Sequence, residues 1–189
     1  LHPLDSDKIQ DRESRHLLDL LQTLQEVGLT NTSDRVTTKR CNRILKDLAA
    51  TLPKTKRKPS VASVIDHWQR IERAKAIVES MESYLEQQNA SFSSPIPMDL
   101  PVPSHDTYFW ILKLYSSAQQ LSEQDFESAK SKTEYAVYDI TLLEAATKAP
   151  LAVRAIVEQL QKSDNLGLQP TSLHWNQVLS CYANALRRP

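Results

Sequence analysis

The chain has 189 residues, with 23 Lys and Arg balanced by 23 Asp and Glu and a mean hydropathy of −0.46. Zero formal charge excludes a whole-molecule field drawing the protein to nucleic acid or anionic lipid, so any basic surface is local. Two glycines, Gly28 and Gly167, are too few for an all-β fold or for phosphate-cradling loops, and no run of about 18 apolar residues is present to span a membrane.

Residues 1–12 form an N-terminal extension, and helix begins near Arg12, where Leu17, Leu18, Leu20, Leu21 and Leu24 make an apolar stripe up to Val27 and Gly28 stops it. Caps at residues 31–34 lead into a second helix from Val36 to Leu52, with Cys41, Ile44, Leu45 and Leu48 at i, i+3, i+4 and i+7. A basic loop at 53–60 follows, then a long helix from Ser60 to Gln88 carrying Ile65, Trp68, Ile71, Ile77, Val78 and Met81. Residues 89–103 hold Pro95, Pro97, Pro101 and Pro103 and read as an extended connector. Further helices are predicted over Ser104–Gln120, Ser122–Lys132, Glu134–Ala149, Leu151–Ser163 and from Pro170 to Leu186, with Pro150 in a first turn and Gly167 in a turn.

A phrase recurs within these helices. Lys75-Ala76-Ile77-Val78-Glu79-Ser80-Met81 returns as Arg154-Ala155-Ile156-Val157-Glu158-Gln159-Leu160. Each copy precedes a polar linker, a proline-marked start and an aromatic-led helix: Pro103-Ser104-His105-Asp106-Thr107-Tyr108 in one case, Pro170-Thr171-Ser172-Leu173-His174-Trp175 in the other. Such self-similarity points to stacked helical units, which bury their apolar faces only against their neighbours. Cys41, Tyr108, Tyr138 and Trp175 align as anchors of equivalent helices, at intervals of 67, 30 and 37 residues. The first interval reads as one expanded unit or as two.

At these residues the chain resembles pentatricopeptide repeat proteins. There a first helix opens after Pro with a Thr-Tyr-Asn-like signature, and a second carries an Ala-rich stripe before a Gly-containing turn and another Pro. Arg154–Leu160, Gly167-Leu168-Gln169-Pro170 and His174-Trp175-Asn176-Gln177-Val178-Leu179 match most fully, and the likeness runs over residues 13–188. Tetratricopeptide-like hairpins are the competing description. The resemblance implies an all-α fold, a right-handed α-solenoid of antiparallel helix pairs with about four hairpins over residues 13–189. It implies a mitochondrial or plastid protein whose concave row of first helices binds single-stranded or ribosomal RNA in RNA processing or translation. It also implies base-choosing positions two places after each anchor, here Arg43, Trp110, Ile140 and Gln177, with His105, Tyr135 and Ser172 as partners of the first three. None of those four is the Asn, Ser or Thr usual in the family.

Arg43 with Lys46, and Trp110 with Lys113, stand three apart and so share helix faces offset from the apolar seam. Cations beside an aromatic platform can hold phosphates and stack a base without reading sequence. Lys54, Lys56, Arg57 and Lys58 form the densest positive patch, suited to RNA backbone or to solubilising a loop. Ile140 and Leu143 are apolar where a nucleic-acid groove is polar, and suit a protein partner. They motivate an alternative reading, a scaffold subunit of an organellar ribonucleoprotein assembly.

The five histidines are scattered, and no His-x-x-x-His, Cys-x-x-Cys, P-loop or nucleophile elbow occurs, so no catalytic, metal or cofactor site is expected. Cys41 and Cys181 fall in apolar helical patterns and read as reduced core residues of an intracellular protein. The opening from Leu1, neither Arg-rich nor free of acids, reads as a fragment or a processed chain.

Overall fold

A computed structural model describes residues 36–50, 60–90, 101–132, 135–163 and 166–186. Their regular structure is all helical: α1 (Thr38–Ala50), α2 (Val61–Ala90), α3 (His105–Ser117), α4 (Glu123–Lys130), α5 (Val137–Thr147), α6 (Ala149–Lys162), a 3-10 turn at Leu166–Leu168 and α7 (Ser172–Leu186). The expected helix at 12–27, the caps at 31–34, Lys54, Lys56, Arg57 and Lys58, and residues 91–100 of the connector lie outside the described residues.

Local chemistry explains the helix starts. The hydroxyls of Thr37, Ser60 and Ser122 accept from the N–H three residues on, at 3.2, 3.2 and 3.1 Å, and so satisfy donors that a helix leaves open. Ser104 does this for α3 within a reciprocal capping box completed by Thr107. Pro150 sits in the first turn of α6, where its missing N–H costs nothing.

α3 is the central element. α1 and α7 pack along its two flanks, α2 and α6 pack behind it, and α5 lies on α2. α1, α3 and α7 run parallel, as the cross-links between them show in register. Thr38 Oγ1 donates to Val102 O at 2.8 Å, Asn42 Nδ2 donates to Ser104 Oγ at 3.0 Å, and Thr107 Oγ1 donates to Asn42 Oδ1 at 2.7 Å. Towards α7, Ser116 Oγ donates to Gln177 Oε1 and Asn184 Nδ2 to Ser116 O, both at 2.8 Å.

His174 joins the starts of α3 and α7. Its Nδ1 accepts from Thr171 N at 3.0 Å, which leaves the proton on Nε2, and that nitrogen donates to His105 O at 3.1 Å. One imidazole thereby caps α7 and ties it to its neighbour. Burial holds both His174 and His67 below their ordinary 6.5, because it disfavours the charged ring. The unfolded chain then binds more protons than the folded one below about pH 6.5, so this stability is complete above that value and is lost as pH falls. Urea midpoints at about pH 7.5 and 5.5 are expected to be lower at the acid value; equal midpoints would count against these roles.

The turn after α3 is buried, and hydrogen bonds tie it to the helices around it. Gln119 N donates to His67 Nδ1 at 3.4 Å, Trp68 Nε1 donates to Gln119 O at 2.8 Å, and Leu121 N donates to Ala146 O at 3.3 Å. Gln120 Nε2 donates to Cys181 O at 3.0 Å. α2, α3, α5 and α7 therefore meet at residues 119–121. Trp68 also sets its ring edge-on to Tyr115, 5.7 Å between centroids. Cys41 and Cys181 are buried free thiols, and burial pushes Cys41 up to about 12.

The two copies of the recurring phrase share part of their burial pattern. Val78 and Met81 on α2 and Val157 and Leu160 on α6 are buried, as are Ala74 and Val153 just ahead of each copy, whereas Ile77 is buried and Ile156 half-buried. The anchors need one correction. Tyr108 and Trp175 lie 67 residues apart, as do Cys41 and Tyr108, and these three belong to the parallel row of α1, α3 and α7. Tyr138 belongs to α5, which packs on α2 outside the row, and the residue is 54% exposed.

Candidate nucleic-acid interface

The outward side of the row begins with α1. Cys41, Ile44 and Leu45 turn inward, which leaves Lys39, Arg43 and Lys46 exposed at i, i+4 and i+7 on one stripe. The Asn42 links to Ser104 and Thr107 set the register that brings Lys46 beside Trp110, with Nζ 5.7 Å from the ring centroid. Trp110 is half-buried and meets Phe109 edge-on at 5.0 Å, and Lys113 is exposed one turn further along α3. Neither Lys39, Arg43, Lys46 nor Lys113 forms an ion pair with a carboxylate among the described residues.

α1 and α3 together carry five cations, Lys39, Arg40, Arg43, Lys46 and Lys113, against Asp47 and Asp106, while α7 carries no charged residue. The neutral chain thus holds a locally positive face beside two aromatic rings. Four predicted site residues, Arg43, Lys46, Trp110 and Lys113, come together there. Gln177 sits on the adjoining helix, but its Oε1 is occupied by the Ser116 hydroxyl. Sequence reasoning missed Lys39, although its spacing from Arg43 and Lys46 completes the stripe, and it missed Phe109, which sits edge-on to Trp110.

Ile140 and Leu143 do not form an exposed pair. Leu143 is 0% exposed and Ile140 is half-buried, because α5 packs on α2 and buries Leu142, Leu143 and Ala146. The exposed apolar residues of α5 are Val137 and Tyr138. No group of three or more His, Cys, Asp or Glu able to hold a metal occurs among the described residues, and no described helix is long and apolar enough to cross a membrane. No family model, no curated protein and no solved structure matches the chain.

Proposed function

We propose that the chain is a divergent pentatricopeptide-like protein that binds single-stranded RNA, without close sequence readout, on the outward side of α1, α3 and α7. The observation that carries this reading is the stripe Lys39, Arg43 and Lys46 beside Trp110, free of carboxylate pairing among the described residues. Phosphates take the cations. A base stacks on the exposed part of Trp110, with the Lys46 ammonium alongside to meet a phosphate, and sequence matters little because every base has a π-face.

The repeat supports the same reading. A 67-residue period places Arg43, Trp110 and Gln177 at one rank across the row, and Lys46, Lys113 and Ser180 at the next. In this proposal the units stack as a right-handed solenoid, and the resemblance puts the protein in a mitochondrion or plastid, acting in RNA processing or translation. Base choice by the family's paired positions is left out of the proposal, since Arg43 and Trp110 are an ion and a ring and Gln177 is already bonded to Ser116.

Fluorescence anisotropy with a labelled oligouridine is the test. The affinity is expected to fall by on the order of tenfold or more between about 50 and 200 mM salt, since each single-strand phosphate contact contributes about 0.7 to the salt slope. Absence of binding at the lower salt would remove the proposal.

A further inference from the structure

The side of α3 turned away from α1 and α7 has a second surface, of opposite charge. Between α2 and α6 a cleft of about 450 Å³ runs over Tyr108 and Ile111 of α3. Ile156 and Leu160 supply an apolar wall on α6. On α2 the wall is acidic: Glu79, Glu82 and Glu86 line the cleft at i, i+3 and i+7, spanning about 10 Å of helix. Tyr108 OH donates to Glu82 Oε1 at 2.7 Å and fixes the middle carboxylate over the floor.

Among the described residues that line the cleft, none balances these carboxylates: the one cation there, Lys75, is held by Glu72 at 3.1 Å. The last turn of α2 contains no basic residue, so the helix's carbonyl end adds to the negative potential. Burial raises the Glu82 carboxyl above its ordinary value, and the Glu79 and Glu86 charges add to that rise against the lowering effect of the Tyr108 hydrogen bond. An incoming positive charge relieves this repulsion, whereas a phosphate increases it. RNA and anionic lipid are therefore poor occupants, and the apolar floor is wasted on a bare polyamine.

We infer that this cleft receives a cationic amphipathic helix from a protein partner, with aliphatic side chains against Ile111 and Ile156 and Lys or Arg side chains against Glu79, Glu82 and Glu86. The wall from Lys75 to Glu86 is about 16 Å long, room for roughly three turns of such a helix laid in the groove. Tyr108 serves as both floor and anchor. The site is separate from the α1 stripe, so RNA and the partner helix bind without excluding each other.

The probe is a fluorescent peptide of about 14 residues with Leu on one helical face and Lys along its flank, long enough to form a marginal helix. It is expected to bind the full chain, and Glu79→Lys/Glu86→Lys is expected to weaken binding at least about tenfold with the far-ultraviolet circular dichroism unchanged, since both side chains are exposed. The same peptide with Glu for Lys is expected not to bind. Peptide binding unaffected by the double variant would overturn the inference. So would spermidine competing as well as the peptide, which reduces the site to a charge cluster, or concentration-dependent dimerisation abolished by the double variant, which assigns the cleft to a second copy. Oligouridine binding by the double variant is expected to match the parent, so this result is independent of the RNA reading.

Discussion

Trp68→Ala is expected to lower the free energy of unfolding by about 3–5 kcal/mol, read from urea denaturation of the full chain. Trp68 is 1% exposed, and it does two things at once. Its ring fills the space between α2 and α3 against Tyr115, and its Nε1–H satisfies the carbonyl of Gln119 in a turn where α2, α3, α5 and α7 converge. The substitution leaves a cavity and an orphaned buried acceptor, each of which is costly. A domain of ordinary stability, about 5–15 kcal/mol, is then brought near its threshold. Trp110→Ala is the matched control: it removes a half-buried ring from the outward face, so it should cost far less stability while weakening RNA. A Trp68→Ala loss no larger than that of Trp110→Ala would show that the turn at 119–121 is not where the helices are joined.

The second large effect concerns binding. Lys39→Ala/Arg43→Ala/Lys46→Ala removes the α1 stripe without touching Cys41, Ile44 or Leu45, and alanine suits an exposed helix position. Stability should move by no more than about 0.5 kcal/mol per site. Oligouridine affinity at about 50 mM salt is expected to fall by on the order of tenfold or more, and the slope of log affinity against log salt to flatten by about 2, three contacts at about 0.7 each. An unchanged slope would mean that these cations do not meet phosphates.

The helices were legible in the sequence because their determinants are local. Ser60, Ser104 and Ser122 stand just ahead of helix starts, Pro150 marks a first turn, and the α1 stripe separates inward from outward residues cleanly. The neighbour relations were only partly legible. α5 reads Val137, Tyr138, Ile140, Leu142, Leu143, Ala145 and Ala146 within eleven residues, apolar around its circumference, so no periodicity says which side faces α2. Leu143 was accordingly placed on the surface when it belongs to the core. Tyr138 looked like a row anchor for the same reason, which split one 67-residue interval into 30 and 37.

The candidate sites divide along similar lines. Arg43, Lys46, Trp110 and Lys113 were found because each pair is close in sequence, and helix geometry alone puts them side by side. That Lys46 reaches Trp110 depends on Asn42 meeting Ser104 and Thr107 across more than sixty residues, which no local pattern announces. The acidic cleft is harder still. Glu79, Glu82 and Glu86 look like an ordinary solvated flank until α6 is set opposite them over Tyr108 and Ile111.

The most direct test of the account is ultraviolet crosslinking of an oligouridine to the full chain, followed by mass-spectrometric mapping of the adducted peptide. The account predicts the adduct on the α3 peptide containing Phe109 and Trp110, lost in the Lys39→Ala/Arg43→Ala/Lys46→Ala variant. Adducts confined to residues outside α1, α3 and α7, or none at saturating oligouridine, would contradict it.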